Sequence, residues 1–197
     1  MTESYKLDMT MMFAIHGALR RDLTQVRDLT GRTEGWDLFA KLLHFHHAVE
    51  DDALWPVVRQ SASSQVDDLA LLDAMEHEHS TIDPVLDEIE TAFAAGKAAP
   101  AECADLAIRL EQHLAHEEAE AIPLIDRKLS QEQWTNFGKT AVERLGPDMP
   151  RFLPWLLEGA EPERQAAVFK YIPEPVQQLY RNDWQPAFAS KDWWAAG

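Results

Sequence analysis

The sequence predicts an all-α protein: an up-down-up-down four-helix bundle followed by a helical C-terminal extension rich in tryptophan and proline. Apolar residues recur at helical spacing in four successive segments of about 20 residues, and a helix of that length, at about 1.5 Å per residue, crosses a small domain. The connections between the segments are short, so sequential helices should run antiparallel. Apolar and polar residues do not alternate over long runs, which argues against a sheet.

The first predicted helix spans about residues 9–29 and carries His16 in the middle of its apolar stripe. The stripe is formed by Met9, Met12, Phe13, Leu19, Leu23 and Val26. Gly31 marks the break before a second helix, in which aromatic and aliphatic residues lead into His46 and Glu50.

A serine-rich loop at residues 61–64 leads into a third helix at about residues 66–95, whose apolar stripe contains His79. Its apolar positions are Leu72, Met75, Ile82, Leu86, Ile89 and Phe93. The fourth helix carries His113 and Glu117 on its apolar face.

The extension should begin with a fifth helix. Ser130-Gln131-Glu132-Gln133 resembles a capping box that opens this helix, and Gly146-Pro147 should close it. Further prolines divide the rest into short helical pieces, and five of the seven tryptophans lie here, which need a surface to cover. We therefore expect residues 1–129 to form the bundle and residues 130–197 to pack on it or on a second subunit, in a homo-oligomer.

Composition narrows the range of partners. There are 34 acidic and 18 basic residues, and the resulting net charge of −16 disfavours nucleic acid and anionic membranes. Cys103 is the single cysteine, which excludes an intramolecular disulfide and a cysteine-based metal site. The N-terminus lacks the features of a signal peptide, and no run of about 18 apolar residues is present, so we expect a cytoplasmic protein that does not enter a membrane.

A repeated motif carries the chemistry. His46-x-x-x-Glu50 recurs 67 positions later as His113-x-x-x-Glu117, and in both copies a second acid follows the glutamate and a proline lies six residues past it. Residues four apart share a helix face, so each copy directs an imidazole and a carboxylate at one point. One copy alone would be unremarkable as a solvated pair, but two copies with the same flanking residues predict a site.

Three prolines fall inside the helical patterns: Pro56, Pro84 and Pro123. A proline in a helix interior removes one hydrogen bond and costs about 3 kcal/mol, so it bends or ends the helix. The sequence leaves both alternatives open.

Six residues should converge inside the bundle, because each lies on the apolar stripe of its helix. They are His16, His46, Glu50, His79, His113 and Glu117. Burying them without partners would cost roughly 1–3 kcal/mol each. A shared metal compensates this cost, since iron, manganese and zinc accept imidazole nitrogen and carboxylate oxygen, and two bridging carboxylates favour two ions.

Two known arrangements fit less well. Ferritin-like di-iron proteins use Glu-x-x-His on two helices, and here Glu76-x-x-His79 is the one instance. A mononuclear zinc hydrolase needs His-x-x-x-His, and no such pair lies on an inward face.

Over about residues 9 to 128 the chain resembles the haemerythrin-like, or HHE cation-binding, family. The matching motifs are His16, His46-x-x-x-Glu50-Asp51 with Leu54-Trp55-Pro56, Glu78-His79, and His113-x-x-x-Glu117-Glu118 with Ile122-Pro123-Leu124. The resemblance implies two non-haem iron ions in an Fe–O–Fe centre, with Glu50 and Glu117 as the bridging carboxylates.

The sequence departs from the oxygen carriers of that family, which have a His-x-x-x-His pair on the third helix. Met75 and Asp83 stand four residues before and after His79. The acid of the fourth helix also differs: here it is Glu117, whereas the carriers have an aspartate one position further along the helix. With four histidines, two bridging carboxylates and a bridging oxygen, about two of the roughly twelve positions on two six-coordinate irons stay open. Four residues are candidates for a seventh ligand: Glu76, His77, Asp83 and Tyr5.

The other histidines lie off the centre of the stripes, so we expect surface positions or contacts to ligands rather than ligation. They are His44, His47, His77 and His116. Asp51 and Glu118, which follow the two glutamates, should either orient ligand imidazoles or lie exposed.

The favoured function is therefore redox turnover or binding of oxygen, peroxide or nitric oxide at a di-iron centre. An enzyme that consumes peroxide or nitric oxide is one form of it. The alternative is a module that senses metal or oxygen, or stores iron, without turnover. A third interpretation is a bundle whose polar core is satisfied without metal.

Overall fold

The computed structural model describes residues 5–62 and 65–195. All regular structure in this part of the chain is helical, as predicted. The bundle helices are α1 Thr10–Val26; α2 Glu34–Val49, which continues through a π-turn Glu50–Leu54 into α3 Trp55–Ser61; α4 Val66–Ala94; and α5 Pro100–His116, which continues through a π-turn Glu117–Ala121 into α6 Ile122–Lys128. Ser63 and Ser64 of the predicted loop lie outside the described residues.

The bundle has four helical rods, which are α1, α2 with α3, α4, and α5 with α6. They close into a ring. Helix α1 packs against α2 and α5, while α4 packs against the same two helices. Helices that follow one another in the chain are thus in contact, and the first contacts the last, which is the arrangement of an up-down-up-down bundle. Helix α2 begins at Glu34 because the Thr33 hydroxyl caps it, accepting a hydrogen bond from the Trp36 N–H at 3.0 Å.

The core of the bundle consists of two apolar clusters with a polar layer between them. Along α1, Met12 belongs to one cluster, Leu19 to the other, and His16 lies between them. Along the third rod, Met75 and Ile82 flank His79 in the same way. The predicted site residues therefore form one level of the bundle.

Two alternative effects were predicted for the prolines, a bend or an end of the helix. No helical rod ends at Pro56, Pro84 or Pro123, so the interpretation of these residues as helix terminators is wrong. Pro84 lies inside the uninterrupted helix α4. At Pro56 and Pro123 the helix instead widens into a π-turn immediately upstream and then continues.

The extension consists of short helices. They are α7 Gln131–Leu145, a 3₁₀ turn Gly146–Asp148, α8 Met149–Leu157, α9 Pro162–Phe169, α10 Glu174–Leu179, a π-turn Tyr180–Trp184 and α11 Gln185–Ala189. The capping box predicted at Ser130 is present, with the Gln133 N–H donating to the Ser130 hydroxyl and the Ser130 N–H donating to the Gln133 side chain.

The extension packs on the bundle, and its buried side chains belong to the same apolar cluster as those of α1 and α2. The buried Trp155 of α8 donates its indole N–H to Asp22 of α1 at 2.6 Å, and the Arg21 guanidinium donates to the Trp155 carbonyl oxygen at 2.8 Å. Near the end of the described chain, the Gly35 N–H donates to the Trp193 carbonyl oxygen at 2.6 Å. The division at residue 129 and a second subunit stay predictions.

A helix that crosses a bilayer needs about 20 predominantly apolar residues. None of the helices in the described part of the chain is both long enough and apolar enough to cross a membrane.

Candidate metal centre

Two groups of buried side chains meet in the polar layer of the bundle. In the first, ligand atoms of His16, His46, Glu50 and Glu117 all lie within 4.8 Å of one another. In the second, nitrogens of His47, His79 and His113 are equally close. Imidazole and carboxylate at this spacing are a donor set for a transition-metal ion.

The carboxylate of Glu50 connects the two groups. Its Oε1 lies 3.4 Å from Nδ1 of His46, and its Oε2 lies 3.7 Å from Nε2 of His79. Glu117 approaches from the fourth rod, with Oε2 at 3.1 Å from Nε2 of His16. A carboxylate that faces one group with each oxygen has the geometry of a bridge.

All six residues predicted from the sequence lie in these two groups, and each is at least 95% buried. They come from four different helical rods, so the convergence is a property of the tertiary structure.

Two alternatives were predicted for His47, a surface position or a contact to ligands, and the first is wrong. The residue is 1% exposed and belongs to the second group with His79 and His113. Its imidazole stacks on that of His79, with ring centroids 4.0 Å apart. The missed signal is its spacing: residues three apart on a helix share a face as residues four apart do, so His46 and His47 both flank Glu50.

None of the four candidates for a seventh ligand belongs to either group among the described residues. Glu76 is exposed and pairs with Arg59, His77 is exposed, and Tyr5 contacts the Phe13 ring. Asp83 lies outside the two groups and contacts Nδ1 of His47. The seventh residue of the two groups is instead His47, the neighbour of His46 on the second rod.

A set of carboxylates surrounds the two groups, each facing Nδ1 of one imidazole. Asp51 lies 2.8 Å from His79, and Glu118 lies 2.9 Å from His16, which confirms the orienting contact predicted for these two acids. Two corresponding contacts from the third rod were not predicted: Glu78 lies 2.8 Å from His113, and Asp83 lies 2.9 Å from His47.

These contacts decide which ring nitrogen is available inside. An imidazole that donates its Nδ1–H to a carboxylate keeps Nε2 as a lone-pair donor, which is the form that binds metal. Two such nitrogens, Nε2 of His79 and of His113, face one another at 3.1 Å. The outer carboxylates are themselves held: Arg20 donates to Glu118 at 2.6 Å, and Glu78 also contacts His116.

The other three histidines lie outside the two groups. His77 is exposed, while His44 and His116 are partly buried at the outside of the layer. His116 lies 2.7 Å from Glu78, so it supports a group that orients His113.

The site fits a cation because most of its inward atoms have no hydrogen-bond partner and the others face only one another. Within the described chain, Nε2 of His46 and of His47, both carboxylate oxygens of Glu50 and Oε1 of Glu117 are buried without a hydrogen bond. Leaving such groups unpaired costs roughly 1–3 kcal/mol each, and more for a charged carboxylate. Positive charge at the centre satisfies these donors together.

The pKa values separate the uncompensated groups of the site from the one compensated pair. Burial and the adjacent Glu117 carboxylate raise the pKa of Glu50 well above its ordinary value. Burial lowers the pKa of His46 and of His47 well below the usual range, which keeps both imidazoles neutral as metal binding requires. Although burial acts in the opposite direction, the mutual attraction of His16 and Glu117 raises the pKa of His16 to about 9 and lowers that of Glu117 to about 2.

Comparison with known proteins agrees with this donor set. The family model described as Hemerythrin HHE cation binding domain matches residues 8–125, more than half of the chain and all seven residues of the two groups. Comparisons with curated proteins and with solved structures give no significant match. The matched segment includes the first three rods of the bundle and the fourth as far as residue 125, so the chain belongs to the hemerythrin HHE cation-binding family.

Proposed function

We propose that the protein binds two iron ions in the bundle and that this centre takes up oxygen, peroxide or nitric oxide. The observation that carries the proposal is the Glu50 carboxylate, whose two oxygens face different imidazole groups across a buried layer of unpaired donors. One ion would be held by His47, His79 and His113 and the other by His16 and His46, with Glu50 and Glu117 shared between them.

His47 changes the count of open positions. Two six-coordinate ions offer about twelve positions; five imidazoles take five, two bridging carboxylates take four and a bridging oxygen takes about two, which leaves about one. This replaces the two open positions counted from the sequence. Open positions on the metal ions favour turnover over reversible carriage, so with about one of them left, binding of one small ligand is the better supported activity.

The distribution of donors also favours one side of the layer for the remaining position. Three imidazoles lie together on one side of the layer, and two, His16 and His46, lie on the other. The side with fewer imidazoles is where a small ligand would bind.

When bound, iron supplies one-electron redox chemistry and affinity for diatomic ligands. The residues of the chain exclude water from the site and orient its imidazoles. Met12, Met75, Leu54 and Leu110 are buried on either side of the polar layer and exclude water from it. Asp51, Glu78, Asp83 and Glu118 hold the Nδ1 protons of four imidazoles, so that these rings keep one orientation and one tautomer.

The direct test is elemental analysis of protein purified from iron-replete cells, together with its absorption spectrum. We expect about two irons per chain, and a near-ultraviolet charge-transfer band that azide perturbs. His46→Ala and His113→Ala should both lower the bound iron, while the exposed His77→Ala should not. Unchanged iron in both site variants would contradict the proposal, and rapid consumption of added peroxide would identify an enzyme rather than a carrier.

A sensing function is the second candidate, and one observation favours it. Helix α1 carries His16 on its inner face and, through Asp22 and Arg21, holds Trp155 of the extension. Metal binding that orders α1 would therefore strengthen the docking of the extension. This function predicts that removing the metal makes residues 130–197 more sensitive to protease, whereas a carrier or enzyme would show equal sensitivity with and without metal.

A further inference from the structure

The three π-turns of the described chain share one local sequence feature, a proline two residues after the turn. The N–H of Trp55 donates to the carbonyl oxygen of Glu50, five residues back, and Pro56 follows. The N–H of Ile122 donates in the same way to Glu117 and precedes Pro123. In the extension, the N–H of Gln185 donates to Tyr180 and precedes Pro186.

Proline favours a wide turn for two physical reasons. Its ring clashes with the carbonyl of the residue four positions back in a regular α-helix, and a wider turn moves that carbonyl away. A π-turn in an ordinary helix also sacrifices a backbone hydrogen bond, but proline has no N–H, so that bond is already missing. The proline therefore makes the π-turn the less costly conformation.

In the bundle, both π-turns begin at a bridging carboxylate. Glu50 and Glu117 are their first residues, and both are 0% exposed. Immediately after the turns, Trp55 and Ile122 are also 0% exposed. An α-helical register would rotate the segment after each turn by about 100° and shift it by about 1.5 Å relative to the segment before it, so the glutamate and the downstream core residue could not both face inward.

The prolines are not there for packing. Pro56 is exposed and Pro123 is only partly buried, so neither side chain fills the core. Pro84, which is also exposed, lies in the continuous helix α4 without a π-turn. A proline in a helix is thus insufficient for the wide turn, and the two turns in the bundle occur where a carboxylate must enter the polar layer.

We infer that Pro56 and Pro123 are positioning residues of the metal centre: they hold the two π-turns that bring the Glu50 and Glu117 carboxylates together between the imidazole groups. The consequence for metal binding rests on the proposed function, whereas the consequence for the carboxylates concerns the protein alone.

The test compares the double variant Pro56→Ala/Pro123→Ala with two matched controls. Pro186→Ala removes the proline of the third π-turn, in the extension, and Pro84→Ala removes a helical proline that has no π-turn. For each protein we would determine the metal-free crystal structure, titrate with Co²⁺, and record the visible absorption of the bound cobalt, which reports coordination geometry and not stability.

In the double variant we expect the Trp55 and Ile122 N–H groups to move to acceptors four residues back and the two carboxylates to separate. Cobalt affinity should fall by about 10–100-fold, the range for lost ligand positioning, with a shifted spectrum. Both controls should match the unaltered protein in carboxylate spacing, affinity and spectrum. If the double variant loses helix by circular dichroism, Pro56→Ala alone takes its place, with the same expectations at Glu50.

Retention of both π-turns in the variant, or unchanged carboxylate spacing and spectrum after their loss, would overturn the inference. If the unaltered protein binds no metal, the proposed function fails, yet the metal-free structures still decide whether the prolines place the carboxylates.

Discussion

The second and fourth rods of the bundle carry the same motif but contribute differently to the site. In the second rod, His46 is followed by His47, which joins the group of three imidazoles. In the fourth, His113 is followed by Leu114, which is fully buried in an apolar cluster. One position of the repeat therefore decides whether a rod supplies three donors or two, and the site is asymmetric although the motif is repeated.

The two glutamates of the repeat also differ. The pKa of Glu50 is raised by burial and by the neighbouring carboxylate, whereas that of Glu117, also buried, is lowered to about 2 because His16 lies beside it. The partner is a residue of α1, outside the repeat. The pKa values at equivalent positions of the repeat therefore differ because the other rods place different residues opposite them.

The largest effect should come from removing a shared carboxylate. If Glu50 and Glu117 are equivalent as bridges, Glu50→Ala and Glu117→Ala should each abolish paired binding, so that bound iron falls from about two per chain to one or fewer. Elemental analysis measures this directly, with the exposed Glu76→Ala as the matched control. Two irons in either site variant would show that its carboxylate is not a bridge.

The difference between His47 and Leu114 can be tested by making the second rod like the fourth. His47→Leu should weaken metal binding by more than the roughly 10–100-fold typical of an outer residue, because in the proposed centre His47 is itself a ligand. Competition with a chelator measures the affinity, and the partly buried His44→Leu serves as control. An affinity equal to that of the unaltered protein would return His47 to an accessory role.

The acids that follow the two glutamates should have a smaller effect. Asp51→Asn and Glu118→Gln each replace the charged acceptor that faces one imidazole, of His79 and of His16, by a weaker neutral amide, and we expect a loss of about 10–100-fold in metal affinity. Glu118 also binds Arg20, so its substitution should cost the metal-free protein more stability. Metal titration and urea unfolding separate the two effects; a change in stability without any change in affinity would argue against an orienting role.

The smallest effect on metal should come from the reverse exchange, Leu114→His. The new imidazole would lie in an apolar cluster, where an unpaired polar group costs roughly 1–3 kcal/mol. Urea unfolding should show this loss, with metal stoichiometry unchanged. A gain in bound metal would mean that the fourth rod can supply a third donor after all.

Much of this architecture could be predicted from the sequence. Helical periodicity gave the four rods, and the repeated His-x-x-x-Glu motif with His16 and His79 gave six of the seven clustered residues. His47 escaped because the stripe was centred on positions four apart, whereas a buried layer accepts donors across a wider arc of the helix.

Other features could not be read from one segment at a time. The contacts of Glu78 with His113 and of Asp83 with His47 join different rods, so they depend on the rotation of each helix in the bundle. The π-turns escaped for another reason: proline in a helical pattern is compatible with a bend, an end or a wider turn, and only the packing on both sides selects among them.

Gly35 ties the end of the described chain to its beginning. A methyl group at this position would come within 2.7 Å of the Trp194 ring and 2.8 Å of the Trp193 carbonyl oxygen. The two tryptophans can pack here because Gly35, about 160 residues earlier in the sequence, has a hydrogen atom in place of a side chain. Any other amino acid would displace this contact. The polar layer of the bundle lies several helical turns away and would stay chemically unaltered.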